Sequence, residues 1–299
     1  MKDPRTLGSS ATTARDPRSL PEDIYAILKT STDHVVSEDN VQWAGEAFKD
    51  LLRSRFTEQK AKTGEEVLRF SSLGKKDRQI WYAANSSETA EELSPKTLFK
   101  FLYGDVIEIL LLFLAKESGH EVTHEQHEVE VDGVFGHTDA MIDGIPVDVK
   151  SASPYSFDKF SDGSFMFQDP FGYIKQLSGY AHALNKTDRA GFLVADKVNG
   201  DICFAELDKL TIEGNPPSPR IEKLREIISQ DTPPPRCYDD VPEGKSGNRK
   251  LAVGCSYCPF KDTCWSDSNN GQGLRKFFYS RGPVWLTRVA KEPRVNEDK

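Results

Sequence analysis

Gly136-His137-Thr138-Asp139-Ala140-Met141-Ile142-Asp143-Gly144-Ile145-Pro146-Val147-Asp148-Val149-Lys150 reads as a β-hairpin with one polar face. Asp-Gly between two alternating apolar runs predicts a two-residue type I′ turn, because that turn needs φ > 0 at both central positions. The register then sets Ile142 opposite Ile145, Met141 opposite Pro146, Ala140 opposite Val147 and Asp139 opposite Asp148. Side chains alternate along a strand, so Ala140, Ile142, Ile145, Val147 and Val149 face a core. His137, Asp139, Asp148 and Lys150 share the other face. Opposed Cβ atoms sit about 5 Å apart, where like charges repel. A divalent cation with oxygen ligands accounts for two carboxylates there; a solvated hairpin face is the plainer alternative. Lys150 tips the balance to the cation. Carboxylates that hold Mg²⁺ (or Mn²⁺) let the ion acidify a bound water, and a lysine beside them orients that water or neutralises charge on a phosphorane.

Asp139…Asp148-Val149-Lys150 resembles the D…(D/E)xK signature of the PD-(D/E)xK nucleases, and two further motifs resemble the RecB-like branch of that superfamily. Phe101-Leu102-Tyr103-Gly104-Asp105-Val106-Ile107-Glu108 is similar to the family helix whose acid completes the metal shell, with Glu108 as the expected acid and Asp105 as its competitor. Gln176-Leu177-Ser178-Gly179-Tyr180 resembles the QxxxY motif. Thr138 stands where the family often has proline, and Asp148 where it often has glutamate, which the branch allows. The resemblance implies an α/β fold with a PD-(D/E)xK restriction-endonuclease-like core, a mixed central β-sheet flanked by helices. It implies Mg²⁺ held by Glu108, Asp139, Asp148 and the backbone carbonyl of Val149, with Lys150 assisting. Gln176 and Tyr180 are then expected to contact the strand, Tyr173 to lie on the same helix face, and His137 to support the site by hydrogen bonding. The implied activity is an exonuclease of bacteriophage type, acting on DNA with free ends in recombination, repair or genome processing. A structure-selective endonuclease and a non-catalytic nucleic-acid scaffold are the alternatives.

Five cysteines add a second signal. Cys255-x2-Cys258-x5-Cys264 with Cys237 upstream makes a four-thiolate set for zinc or an iron–sulfur cluster, and Cys203 in an apolar strand reads as a buried thiol. The segment resembles the C-terminal cysteines of RecB-like nucleases that carry a 4Fe–4S cluster. In those relatives the fourth cysteine lies near a serine-leucine turn before an arginine. Here Ser72-Leu73-Gly74-Lys75-Lys76-Asp77-Arg78 contains none, so Cys237 is expected to replace it and the cluster to staple the C-terminal segment to itself.

Net charge is −8, which by itself is unlike a DNA-binding protein, but its distribution is uneven. Between 245 and 291 nine Lys/Arg face two acids, giving +7 there and −15 elsewhere. A weaker basic stretch runs over 49–78. No apolar run approaches the ~20 residues of a membrane span, and none near the N-terminus resembles a signal peptide, so a cytoplasmic protein is expected. The chain divides into a polar tail at 1–20 expected to be disordered, an N-terminal helical region at 21–95, a nuclease core at 96–232, and a basic cysteine-bearing segment at 233–299. Ser37 or Asp39 is placed to cap a helix. The clearest helix, 97–118, is apolar nearly all round and is expected to be buried.

Overall fold

A computed structural model describes residues 15–30, 33–57, 63–280 and 282–298. Helix α1 (Leu20–Lys29) follows a short turn capped by the Asp16 side chain, and Arg15 donates to the Ser118 carbonyl at 2.6 Å. Residues 15–20 of the segment read as a disordered tail are therefore ordered; its residues 1–14 lie outside the described ones. Ser37, whose hydroxyl accepts from Asn40 N–H, caps α2 (Glu38–Arg55). Helix α3 (Asp77–Asn85) leads to α4 (Pro95–Glu117), which starts at the Ser94 cap with proline in its first turn.

Strands β1 (Val122–Thr123), β2 (Glu128–Val131), β3 (Val134–His137), β4 (Ala140–Ile142) and β5 (Ile145–Ala152) follow. Next come α5 (Pro154–Ser161), α6 (Tyr173–Ala183), β6 (Arg189–Asp196), β7 (Ile202–Asp208), α7 (Lys209–Glu213) and α8 (Pro217–Ile228). The central sheet has the order β1-β4-β5-β6-β7, with β5 and β6 parallel and the other neighbours antiparallel. This is a mixed sheet in an α/β fold. Leu20, Ile24, Ile107, Leu111 and Leu112 from α1 and α4 cover one face, over Ala140, Ile142, Val147 and Val149. Phe157, Phe160, Leu177 and Ala181 from α5 and α6 cover the other, over Phe192 and Val194. A third core joins Phe70, Ile80 and Trp81 to Tyr180, Leu224 and Phe260, so the three segments read from sequence share one interior.

Two expectations are corrected. Helix α4 buries Ile107, Leu111, Leu112 and Ala115, yet Leu98, Phe99, Phe101 and Leu110 are exposed, because the helix turns only one side to the sheet core. The C-terminal segment is not merely basic. It forms a second five-stranded sheet from β8 (Val241–Glu243), β9 (Asn248–Lys250), β10 (Arg275–Tyr279), β11 (Gly282–Arg288) and β12 (Glu297–Asp298), in the order β12-β10-β11-β9-β8. Much of its positive charge is answered by neighbouring acids: Arg249 pairs with Asp240, Lys261 with Glu91, Arg275 with Glu292 and Glu297, and Lys276 with Asp298. All of these acids lie outside the 245–291 stretch, so its excess of cations overstates the local field.

The hairpin turn is anchored from below. His120, 4% exposed, sets Nδ1 at 2.6 Å from Asp143 and Nε2 at 3.1 Å from Asp23 of α1, while Glu121 N–H donates to Asp143 at 3.0 Å.

Candidate active site

Asp143 (φ 49°) and Gly144 (φ 83°) make the turn, and the ladder runs Ile142↔Ile145, Met141↔Pro146, Ala140↔Val147, as the sequence dictates. Beyond Ala140 the pairing stops. Thr138 turns away, its N–H and hydroxyl donating to the His127 and His124 carbonyls at 3.0 Å each. Asp139 therefore does not oppose Asp148 in the ladder; its Oδ2 accepts from the Val149 N–H at 2.7 Å on the strand edge that β4 leaves open. A strand residue sends its N–H and C=O to the same side, so the Val149 carbonyl faces that edge too. His137 does not share the site. It sits on β3 in a separate two-stranded sheet, 3.6 Å from Glu128.

Glu108 reaches this edge from α4, where Gln126 Nε2 donates to its carboxylate at 2.8 Å. Asp105 is ion-paired with Arg55, whose Nε donates to it at 2.7 Å, so Glu108 is the helix acid left without a cationic partner of its own on α2. Burial, then the Asp148 charge, pushes Glu108 up to about 7. The same two causes hold Asp139 well above the ordinary carboxylate range. Asp148 is 2% exposed; Lys150 stands against its Oδ2 as an ion pair, yet that oxygen receives no hydrogen bond of ordinary geometry. Burial opposes the Lys150 charge, but Asp148 and Asp139 more than offset it and hold the ammonium above the usual lysine range. Three acidic side chains thus crowd around one ammonium. Fully ionised, the group carries two uncompensated negative charges, which a single divalent oxygen-binding cation would balance.

Helix α6 supplies the remaining wall. Asp169, missed in the sequence although it precedes a proline and a helix, accepts from the N–H groups of Gly172, Tyr173 and Ile174 at 2.8–3.0 Å and fixes the first turn. Gln176 Nε2 lies 3.5 Å from Asp148 Oδ1, and the Lys150 ammonium sits 5.1 Å from the centre of the Tyr173 ring. Tyr180 departs from expectation. It is 5% exposed, stacked on Phe70 (centroids 5.0 Å, planes at 3°) and hydrogen-bonded to Gln176, so it lies behind Gln176 in the wall of the site. Gln126 was the other residue not foreseen; it sits in an irregular turn at φ 50° that carries no sequence signal.

The four cysteines expected to act together do converge. Cys237, Cys255, Cys258 and Cys264 line one small cavity of about 40 Å³ with Arg78, Tyr82 and Trp265, and Cys203 lies apart on β7. Arg78 Nε is 3.1 Å from Cys264 Sγ, and the backbone N–H groups of Arg78 and Gln79 point at Cys237. All four thiols come from the C-terminal segment, and the start of α3 walls the cavity they line, so Arg78 packs the N-terminal part of the chain against them. Burial pushes Cys255 up to about 11 and raises Cys237 and Cys258 as well. A small four-thiol cavity with an arginine and helix N–H groups at its wall is the donor set that a thiolate-bound cation takes. Among the described residues, no three His, Cys, Asp or Glu side chains already stand in a metal-holding array.

No family model matches the chain. No curated protein matches it. A solved structure described as the crystal structure of SSO0001 is similar over 72% of this chain and 93% of its own, at 16% identity and a TM-score of 0.40. Among the described residues no helix is long and apolar enough to cross a membrane.

Proposed function

We propose that the protein is a divalent-metal-dependent deoxyribonuclease of the PD-(D/E)xK, RecB-like kind, acting as an exonuclease on DNA ends. The observation that carries this reading is the gathering of Glu108, Asp139 and Asp148 with Lys150 at the free edge of β5. Unmetallated, that group is electrostatically frustrated. Mg²⁺ or Mn²⁺ held by the three carboxylates, with the Val149 carbonyl at the same edge, would supply a water acidic enough to attack a phosphodiester. Lys150 is positioned to hold that water or the developing charge on phosphorus, and Tyr173 beneath its ammonium keeps it aimed. Gln176 positions Asp148 and offers its amide to the substrate, while Tyr180 is a positioning residue behind it. The thiol cavity would hold a 4Fe–4S cluster or Zn²⁺ in a structural role, locking α3 to the C-terminal sheet.

The test incubates the protein and Asp148→Ala with labelled linear and covalently closed circular DNA in Mg²⁺ or EDTA. Loss of linear DNA alone, dependent on Mg²⁺ and absent in the variant, is the expected result. Cutting of circles moves the reading to an endonuclease. No cleavage in Mg²⁺ or Mn²⁺ by protein with its thiol site loaded sinks it.

A further inference from the structure

Beside α6 lies a cleft of about 370 Å³ that the proposed chemistry does not use, lined by Leu73, Lys175, Pro216, Pro217, Pro219 and Arg220. Leu73 opens the loop 73–76, which runs from this cleft to Lys76 at the wall of the thiol cavity, and that loop is held unusually firmly. Arg220 commits its guanidinium to it, donating to the Leu73 carbonyl at 2.9 Å, the Lys75 carbonyl at 2.6 Å and Asp77 at 2.6 Å. Gly74 packs backbone to backbone on Gly172 at the start of α6, so closely that a Cβ on either would overlap the other. The loop and α6 are therefore one rigid piece.

Three exposed lysines decorate that piece: Lys75 and Lys76 on the loop and Lys175 on α6. None has a carboxylate partner among the described residues, and Lys76 rests on the Tyr238 ring at 5.4 Å. The acid closest to hand, Asp77, is already shared by Arg220 and by Lys223 at 3.2 Å. Burial, then the neighbouring charges of Arg220 and Lys76, lowers Lys175. Cations set on a rigid frame with no internal counter-charge are poised for a polyanion. Position selects which one. Lys175 and Gln176, whose amide reaches Asp148, belong to the same helix α6, so the cleft and the carboxylates are fixed to one element.

We infer that the 73–76 loop, Lys175 and the proline-floored cleft form a cradle for the phosphodiester backbone of the nucleic-acid strand entering the carboxylate site. The inference rests on the nuclease reading for its choice of ligand. It places the strand away from the basic stretch at 245–291, where Arg249, Lys261, Arg275 and Lys276 are held in ion pairs.

The experiment measures binding of a fluorescent oligonucleotide in EDTA across a salt series, so turnover plays no part. It compares wild type, Lys75→Ala/Lys76→Ala/Lys175→Ala, and Lys209→Ala as a control at a paired lysine away from the cleft. Removing one phosphate-binding cation lowers the salt slope by about 0.7–0.9, so the triple variant should shed about two to three units and bind roughly ten- to a hundredfold more weakly at moderate salt. Lys175→Gln alone should show about one unit, with unchanged melting. A triple variant that binds with the wild-type slope overturns the cradle even if wild type cleaves DNA. Weakened binding with no cleavage by wild type keeps the cradle and removes the nuclease. Wild type that binds no DNA overturns both.

Discussion

Replacing Glu108 by glutamine isolates the electrostatic frustration of the metal-free site. In the folded protein burial and Asp148 push this carboxyl from 4.5 to about 7. The folded state therefore holds the proton more tightly than the unfolded chain. The stability this contributes is fully present below about pH 4.5 and is lost as pH rises through about 7. The shift corresponds to roughly 3 kcal/mol, or about 5 °C in melting temperature for a chain of this size. In EDTA, wild type should melt several degrees lower at pH 8 than at pH 5, with Asp139 adding to the same trend. Glu108→Gln keeps the volume and the Gln126 neighbour but carries no titrating group, so the difference in melting temperature between variant and wild type should grow in the variant's favour from pH 5 to pH 8. Mn²⁺ should reverse that order at pH 8, stabilising wild type while barely moving the variant. Calorimetric scans at four pH values, with and without Mn²⁺, suffice. A variant whose pH profile parallels that of wild type in EDTA would falsify the electrostatic account of the site.

Asp148→Asn should abolish Mn²⁺ binding by titration calorimetry and leave Lys150 without its closest counter-ion; retained affinity would displace Asp148 from the metal shell. Cys237→Ser should lower bound iron or zinc on elemental analysis and expose α3 to proteolysis, since this thiol meets the N–H groups of Arg78 and Gln79; unchanged metal content would remove it from the ligand set. Gly74→Ala should destabilise the protein by about 2–4 kcal/mol, because its Cβ overlaps the Gly172 backbone where neither side can yield. A denaturation midpoint equal to that of wild type would refute the close approach.

The hairpin was legible because two local rules agree there: a period-two apolar pattern and an Asp-Gly turn whose backbone needs are specific. Lys150 and Asp148 follow from counting along one strand. Asp139 does not, since its position depends on where β4 stops, and that is set by Thr138 bonding to a distant turn. The choice of Glu108 over Asp105 rests on Arg55, which the sequence cannot place beside α4. Tyr180 reads as accessible because helical spacing gives a face but not what covers it, and Phe70 covers it. The second sheet is obscured by charge: Arg275-Lys276-Phe277-Phe278-Tyr279 opens on two cations, although its aromatic run is the better guide to a strand.

Strand β4 is three residues long, and its early end opens a slot in the middle layer of the molecule. Through that slot Glu108 comes from one side of the sheet and Gln176 from the other, with Asp139 at its lip. The two halves of the site belong to separate apolar cores that share no side chains. Sheet thickness is therefore the gauge that sets their separation. A cavity made at Leu111 or at Leu177 would slide one half of the site past the other without touching a charged atom. Distant packing changes in this fold should thus alter the spacing of the carboxylates in a direction that depends on which core was disturbed.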